Sequence, residues 1–230
     1  QTITAALHGY YFEKTVRNMT SLANPAVTAA PGDTLRYRLR VFNVDQNINT
    51  VTINDTLNLT YFEALVSNVT ISTPAGYNAA WSFDPGSGLL QIYGVPDLDV
   101  KVGGQLVVEF DIKLRPGLTN GTVVSNQAAL NAAGGFTSLS DDPYLNGVAD
   151  PDTPGDEDAT AVVITVPGPL AKANPAKTTA TVGEGFEYTI TVPATPTTVP
   201  LYDVRILDML PANLRFMGAR VGTGGAWALS

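Results

Sequence analysis

The fold of this chain can be worked out from the stretch Tyr10-Tyr11-Phe12-Glu13-Lys14-Thr15-Val16-Arg17. Apolar and polar residues alternate along it, which predicts a β-strand with one buried face. The alternation places Lys14 on the apolar face, together with Tyr10, Phe12 and Val16. A lysine is therefore predicted to point into the protein core.

Two later stretches place a polar residue on their apolar face in the same way. In residues 51–57 the alternation groups Asp55 with valine, isoleucine and leucine, and in residues 124–130 it groups Asn126 with valine, alanine and leucine. A buried ammonium or carboxylate is costly unless it meets an opposite charge or changes its protonation state. The sequence thus predicts an amine, a carboxyl and a carboxamide that all point into the core.

Two interpretations of these three residues are open on the residues alone. Burial favours a neutral amine beside a neutral acid, and a neutral amine is a nucleophile. If the Lys14 amine lies against the side-chain carbonyl of Asn126, and Asp55 hydrogen-bonds that oxygen, attack expels ammonia and leaves a Lys-Asn isopeptide bond. Proximity in one dry site would supply most of the rate. The other interpretation is a buried, hydrogen-bonded polar cluster without chemistry.

Composition narrows the classes of protein and site. The chain has 230 residues, of which 44% are hydrophobic, enough for one full domain and part of another. A net charge of -8 argues against nucleic acid and anionic membranes as partners. There is no cysteine and a single histidine, His8, which excludes disulfides and argues against histidine-rich metal sites and Ser-His-Asp triads. No apolar run approaches the roughly 20 residues of a membrane span.

Short alternating runs separated by turn signals such as Pro31-Gly32-Asp33 predict an all-β protein. Eight strands in one domain are typical of an antiparallel, immunoglobulin-like β-sandwich. The predicted strands are 10–17, 34–43, 50–57, 66–73, 89–93, 105–114, 122–131 and 159–166.

The sequence also repeats itself. Residues 31–41 return as residues 182–192, with the same glycine, acid and aromatic positions, and residues 51–57 return as 204–210. A stiff Pro167-Gly168-Pro169 segment separates the two copies. We therefore predict tandem repeats, with a complete sandwich over residues 1–166 and the first half of a second repeat over 167–230. Because half a sandwich cannot close its core, we expect the natural protein to continue beyond residue 230.

The order of these motifs resembles that of the isopeptide-forming immunoglobulin-like domains of bacterial surface adhesins. The nearest types are the collagen-adhesin domains and the conserved repeat domain of large secreted adhesins. Their pattern is a lysine in the first strand, Gly-Asp/Glu-x-x-x-Tyr, Asp-x-Leu-Pro and then Asn-x-Ala. In this chain the matching residues are Lys14, Gly32-Asp33 with Tyr37, Asp55-Thr56-Leu57, and Asn126-Gln127-Ala128. Asn58 replaces the proline of the third motif, whereas the second copy keeps it in Asp208-Met209-Leu210-Pro211.

The resemblance favours the reactive interpretation and implies a role for each residue. Lys14 would be the cross-linking amine, Asn126 its partner and Asp55 the catalytic acid. In the second copy Lys172 and Asp208 would be the amine and the acid, with the partner asparagine absent from the chain. Two other acids, Glu109 and Asp111, alternate against apolar residues and are expected to face solvent.

An acidic insert precedes the last predicted strand of the first repeat. Asp150, Asp152, Asp156 and Asp158 alternate around a glycine, an arrangement that suits Ca²⁺, which prefers several oxygen ligands from one flexible turn. The alternative is a solvated acidic loop that binds no metal. The cross-link itself requires no cofactor.

The function expected from the resemblance is structural: a stalk or adhesin domain, extracellular, on a bacterial surface or secreted. It would not be an enzyme, because the cross-linking reaction turns over once. Its partners would be neighbouring repeats of the same chain and a host or matrix protein or a glycan, without membrane insertion of this segment. One alternative is an accessory domain of a secreted hydrolase. Another is a carbohydrate- or protein-binding module that uses aromatic residues, with the candidates Tyr10, Tyr11, Tyr61, Tyr77, Trp81 and Tyr93.

Overall fold

The computed structural model of the protein describes residues 9–45, 47–146, 157–166, 168–174, 179–193, 204–220 and 222. The chain divides into two compact units, Gln1–Pro200 and Leu201–Ser230. All of the strands lie in the first unit. In chain order they are β1 (Tyr10–Asn18), β2 (Thr28–Ala29), β3 (Thr34–Asn43), β4 (Thr52–Thr56), β5 (Phe62–Ser72), β6 (Ala79–Asp84), β7 (Leu89–Gly94), β8 (Gln105–Leu114), β9 (Val123–Asn126), β10 (Ala128–Ala132), β11 (Phe136–Leu139), β12 (Thr160–Ile164), β13 (Ala171–Ala173) and β14 (Thr189–Thr191).

Twelve of the described strands form two main sheets and a smaller one, and β13 and β14 form a two-stranded sheet. The four-stranded sheet has the order β1-β3-β8-β5, and the five-stranded sheet has the order β11-β10-β4-β7-β6. The small sheet has the order β2-β12-β9, in which β12 runs parallel to β2 and antiparallel to β9. All pairs in the two main sheets are antiparallel.

One hydrophobic core joins these sheets. Alternate residues of β3, β4, β7, β8 and β12 are buried and pack into a single cluster, while their neighbours face outward. Examples from three different sheets are Leu39, Ile92 and Val162, each completely buried. This is the layered arrangement of a β-sandwich, in which the inner faces of the sheets exclude water together. The all-β sandwich predicted from the sequence is confirmed.

Each of the eight predicted strands overlaps an observed strand, with one important difference. The predicted strand 122–131 divides at Gln127 into β9 and β10, which belong to different sheets. The Gln127 side-chain amide donates to the main-chain carbonyls of Ser140 and Glu157, where the strand changes its neighbours. The alternation of buried residues continues through the division, so the sequence pattern did not reveal it.

The strands β2, β6 and β11 were not predicted. The first and last are very short, and β6 lies at the edge of its sheet, where its apolar residues are only partly covered. In the first unit, β13 and β14 form a separate antiparallel pair. In the second unit, the described residues contain no strand and expose Leu207, Met209 and Met217. The prediction of a second, incomplete repeat over 167–230 stays a prediction.

No helix in the described part of the chain has the length and apolar character that crossing a membrane requires.

Candidate functional site

Lys14 lies in the middle of β1 and is completely buried. Two later segments of the chain hydrogen-bond to its backbone. Its amide donates to the carbonyl of Asp141 at 2.7 Å, and its carbonyl accepts the hydroxyl of Thr160 at 2.8 Å. Because β1 is the edge of its sheet, these two bonds occupy the edge that β3 leaves open. These two hydrogen bonds fix the backbone from which the lysine side chain extends.

The amine of Lys14 meets the carboxylate of Asp55 across the sandwich. Asp55 lies on β4 and is also completely buried, and the Lys14 Nζ to Asp55 Oδ2 distance is 2.6 Å. The pair therefore joins the four-stranded sheet to the five-stranded sheet through the core. A buried ion pair is retained only when its geometry is good, since desolvation offsets most of its attraction.

Asn126 is the third buried polar residue, and it belongs to the small sheet. It is the last residue of β9 and is 4% exposed, and it lies opposite Thr160, whose hydroxyl binds the carbonyl of Lys14. Two residues later Ala128 lies opposite Asp55. Backbone pairing thus connects the strand of Asn126 to that of Thr160, and the strand that follows it to that of Asp55. The structure buries all three side chains, as strand alternation predicts; their chemical roles stay predictions.

Two polar atoms of this cluster are buried without a hydrogen-bond partner among the described residues. They are Nδ2 of Asn126 and Oδ1 of Asp55. A buried donor or acceptor left unpaired costs about 1–3 kcal/mol, and native proteins contain few of them. Two such atoms in one cluster call for an explanation, and Nδ2 is the atom that an isopeptide reaction would expel.

Burial sets the protonation behaviour of the amine. Desolvation lowers the pKa of Lys14, and the charge and hydrogen bond of Asp55 offset only part of this effect. A lowered pKa increases the share of the neutral amine at neutral pH, and only the neutral amine has the lone pair that attacks a carbonyl carbon.

The lowered pKa of Lys14 predicts a pH dependence of stability. The unfolded chain binds a proton at this lysine that the folded chain lacks, between the lowered pKa and the ordinary value of 10.5. Stability should therefore rise with pH in that window. Urea unfolding of Asn126→Ala, which forms no cross-link, would be compared from pH 7 to pH 9.5 with the same chain carrying Lys14→Met. As pH rises, we expect the unfolding free energy of the chain with Lys14 to increase relative to that of the chain with Lys14→Met.

The upper limit of pH 9.5 keeps Tyr37 out of this measurement. Burial, and to a smaller extent the charge of Asp55, raise the pKa of Tyr37 above its ordinary value of 10.0. Ionisation of Tyr37 in the unfolded chain therefore lowers the free energy of unfolding only at higher pH. A difference that stays flat or falls with pH would show that Lys14 keeps its proton in the folded chain.

The expectation for one rival acid is wrong. Glu109 is partly exposed, but Asp111, expected to face solvent, is only 4% exposed. It does lie on the outer face of β8, where Arg36 covers it with two hydrogen bonds and Asn68 adds a third. Burial acts to raise the pKa of Asp111, but these bonds outweigh it and the pKa is lowered. Alternation fixes the face of a strand and does not reveal which long side chains cover that face.

The second-copy residues lie apart from this cluster in the chain. Lys172 lies on β13 opposite Ile190 of β14, and it is exposed. Its Nζ lies 4.4 Å from the centroid of the Tyr188 ring. Asp208 belongs to the second unit and is exposed there. Their proposed roles are untested by this geometry.

The predicted calcium ligands fall mainly outside the described residues. Three of them, Asp150, Asp152 and Asp156, are not described. The single histidine, His8, which is not a predicted ligand, is not described either. Asp158 is described, and its amide donates to Asp141 Oδ1 at 2.7 Å. Among the residues that the structure describes, no three histidine, cysteine or acidic side chains come together as metal ligands do. Calcium binding stays a prediction.

The aromatic candidates for a binding surface are divided between core and solvent. Tyr11 is buried, whereas Trp81 is 43% and Tyr93 is 36% exposed. Trp81 lies opposite Ile92 and Tyr93 lies opposite Ala80, so the two exposed rings project from opposite faces of the sheet. These two rings therefore do not form one stacking platform for a sugar.

Some contributors to the site were not found from the sequence. Thr160 and Asp141 hold the backbone of Lys14 from far along the chain, and no periodic pattern marks such contacts. Tyr37 belongs to the Gly-Asp-x-x-x-Tyr motif, but the motif does not show that its ring faces the Lys14 amine, 4.9 Å from Nζ.

Fold and site together define a class: an all-β sandwich with a buried Lys14–Asp55 pair between its two main sheets and a buried Asn126 on its small sheet. No protein-family model matches the sequence, and no curated protein matches it.

The fold is similar to that of several solved structures. The C-terminal domain of the antigen I/II-family protein AspA of Streptococcus pyogenes is 11% identical, with a TM-score of 0.42 over 66% of this chain and 46% of that chain. BcpA, the major pilin subunit of Bacillus cereus, is 8% identical, with a TM-score of 0.44 over 71% and 42%. A Nocardia farcinica protein with an immunoglobulin-like fold is 16% identical, with a TM-score of 0.41 over 66% and 98%. The match spans less than half the length of the first two chains, and at these identities the likeness concerns the fold alone.

Proposed function

We propose that this protein is a structural stalk or adhesin domain of a bacterial surface or secreted protein, stiffened by an intramolecular isopeptide bond between Lys14 and Asn126. One observation carries the proposal. The Lys14 amine lies 2.6 Å from the Asp55 carboxylate in a completely buried site, and the amide nitrogen of Asn126 is buried without a hydrogen-bond partner among the described residues, on the strand that continues into the neighbour of the Asp55 strand.

The proposed reaction balances without a cofactor. Lys14 passes a proton to Asp55, and the neutral Nζ attacks Cγ of Asn126. Asp55, now protonated, hydrogen-bonds the amide oxygen and returns its proton to the leaving nitrogen. The second proton that Nζ loses as it becomes an amide nitrogen then passes to Asp55. The Cγ–Nδ2 bond breaks, ammonia leaves, and a Cγ–Nζ amide bond remains. Desolvation and fixed proximity supply the rate, and each molecule reacts once.

The bond would give this chain what disulfides give other extracellular proteins. With no cysteine in the sequence, no disulfide can connect its strands. A Lys14–Asn126 bond would join the first strand to the small sheet. A covalent connection between an early and a late strand resists pulling and proteolysis of the region it encloses. That property suits a stalk.

The first test is the intact mass of the purified chain under denaturing conditions. We expect a mass about 17 Da below the sequence value, since one ammonia is lost, and a Lys14–Asn126 cross-linked peptide after digestion. Asp55→Ala is expected to restore the full mass. Asp111→Ala is the matched control, because this acid is also buried but lies on the outer face, and its deficit should remain.

Two results would contradict the proposal. An unmodified mass would leave a buried polar cluster without chemistry. A loss of about 18 Da would instead indicate condensation of Lys14 with a carboxyl group such as Asp55, with water as the leaving group.

A second cross-link is part of the proposal. The hairpins of the two copies share their register: Lys14 lies opposite Leu39 and Lys172 opposite Ile190, and in both a tyrosine precedes the partner by two residues. The turn before each tyrosine is also the same. The backbone amide of Ala30 donates to the Asp33 carboxylate, and the backbone amide of Thr181 donates to the Glu184 carboxylate. Lys172 and Asp208 would then be the amine and acid of a second site.

The remaining elements of the proposal concern surroundings and partners. An extracellular location fits a cysteine-free chain with net charge -8 that gains a covalent brace of its own. Neighbouring repeats would be its first partners, and a host or matrix protein or a glycan a further one. Calcium binding by the acidic insert is kept as a proposal, with Asp158 as its one described ligand.

A further inference from the structure

The amine of Lys14 lies between a carboxylate and an aromatic ring. Asp55 Oδ2 is 2.6 Å from Nζ, and the centroid of the Tyr37 ring is 4.9 Å from it. Tyr37 lies on β3, opposite Val16, while Lys14 lies opposite Leu39. The contact is therefore diagonal between neighbouring strands on the inner face, and it requires the lysine side chain to lean toward the tyrosine.

The ring that receives the amine is held in place. Tyr37 is completely buried, and its ring stacks on Phe110 at 5.7 Å with an interplanar angle of 27°. The edge of Phe62 packs against it at 6.1 Å and 83°. Both geometries are favourable for aromatic pairs. A ring fixed on two sides is a rigid surface against which a flexible lysine can be positioned.

The same contact occurs where core packing does not force it. In the second hairpin, Lys172 Nζ lies 4.4 Å from the centroid of Tyr188, although Lys172 is exposed and Tyr188 is 43% exposed. A lysine on an exposed strand has solvent available in many directions. The lysine and the tyrosine of the second hairpin thus make the same cation–π contact outside the core.

We propose that Tyr37 is a positioning residue for the cross-linking reaction, whose ring holds the Lys14 amine against Asp55, and that Tyr188 positions Lys172 in the same way. The proposal rests on the isopeptide bond proposed above. The ring carries the role and the hydroxyl does not, because the Tyr37 hydroxyl is buried without a hydrogen-bond partner among the described residues. Burial and the charge of Asp55 raise the pKa of Tyr37, so this hydroxyl stays protonated and is no base.

The test compares the rate of cross-linking in two variants. Cell-free synthesis is stopped at intervals in denaturant, and the fraction with the 17 Da deficit is read from the intact mass. We expect Tyr37→Leu to slow the reaction at least about tenfold, because a misplaced amine loses proximity. Tyr37→Phe keeps the ring and should react at the wild-type rate. Rescue by phenylalanine separates positioning by the ring from any need for the hydroxyl.

The outcomes separate this proposal from the proposed function. A wild-type chain without a deficit overturns the isopeptide bond and the role of Tyr37 with it. A wild-type deficit that Tyr37→Leu reaches equally fast overturns only the role of Tyr37. Phe12→Leu is the matched control for loss of a core ring, because Phe12 is buried but is not one of the two rings, Phe62 and Phe110, that hold Tyr37. Its rate should exceed that of Tyr37→Leu, and an equal slowing would overturn the positioning role.

A second measurement decides the matter if circular dichroism shows that Tyr37→Leu fails to fold. Labelling of Lys172 by an amine-reactive acetylating reagent is followed by peptide mass spectrometry in the full chain. Tyr188→Leu should raise the labelling rate about two- to fivefold, as expected for loss of an exposed cation–π contact, and Tyr188→Phe should not. An unchanged rate in Tyr188→Leu would overturn the proposal.

Discussion

Asp55→Ala is expected to lower the free energy of unfolding by about 3–5 kcal/mol, even in a chain that forms no cross-link. The reason is the buried amine left without its partner, which stays charged or gives up its proton on folding, and both cost free energy. Removing the carboxylate leaves the amine of Lys14 completely buried, with its partner at 2.6 Å gone. Urea unfolding at pH 7 in the Asn126→Ala background measures this cost alone, because the covalent bond is absent from both chains.

A paired replacement and a surface control define the mechanism. Lys14→Met together with Asp55→Leu should recover most of the loss, since an apolar pair of similar volume requires no desolvation of charge. Glu109→Ala breaks a partly exposed contact with Arg38 at 3.6 Å and should cost less than about 1 kcal/mol. If Asp55→Ala costs no more than this surface variant, the buried pair does not stabilise the fold.

The cross-link is expected to add about 4–5 kcal/mol of stability over the same chain without it, because it closes a loop of roughly 110 residues in the unfolded state. For a domain of this size the midpoint of thermal unfolding should rise on the order of 10 °C. The comparison is between the wild-type chain and Asn126→Ala, by calorimetry and by urea unfolding. Protease digestion near the midpoint should show the same order of resistance.

A double-mutant cycle removes the local effect of losing the asparagine. In the Asp55→Ala background no bond is expected to form, so Asn126→Ala there reports only the loss of its side-chain packing. The covalent contribution is the difference between the two backgrounds. Equal costs of Asn126→Ala in both would mean that no bond stabilises the wild-type chain.

Strand alternation was enough to predict which faces are buried. It places Lys14, Asp55 and Asn126 in the core, and the structure buries all three. Alternation is a local property with a period of two residues, so one strand suffices to read it. Repetition of residues 31–41 as 182–192 is also readable without a structure, and the two hairpins share a register.

Contacts between distant strands could not be predicted in this way. The hydroxyl of Thr160 reaches a carbonyl 146 residues away in sequence, and no local pattern encodes such a pairing. The strand divides at Gln127, but the alternation of buried residues continues past this residue. The sequence pattern therefore gave no sign that β9 and β10 belong to different sheets. The burial of Asp111 depends on where Arg36 and Asn68 place their long side chains, which alternation leaves undetermined.

The positions of Lys14, Asn126 and Thr160 in the sequence determine the order in which the parts of the site are synthesised. Lys14 emerges early, Asn126 much later, and Thr160, which fixes the carbonyl of Lys14, later still. Chains are made from the N-terminus, and contacts of large sequence separation form only when both ends exist. A nascent chain that ends before Thr160 therefore holds its amine in an unfinished site. If the proposed Lys14–Asn126 bond forms only in the finished site, each bonded molecule is one that was synthesised at least as far as Thr160 and folded.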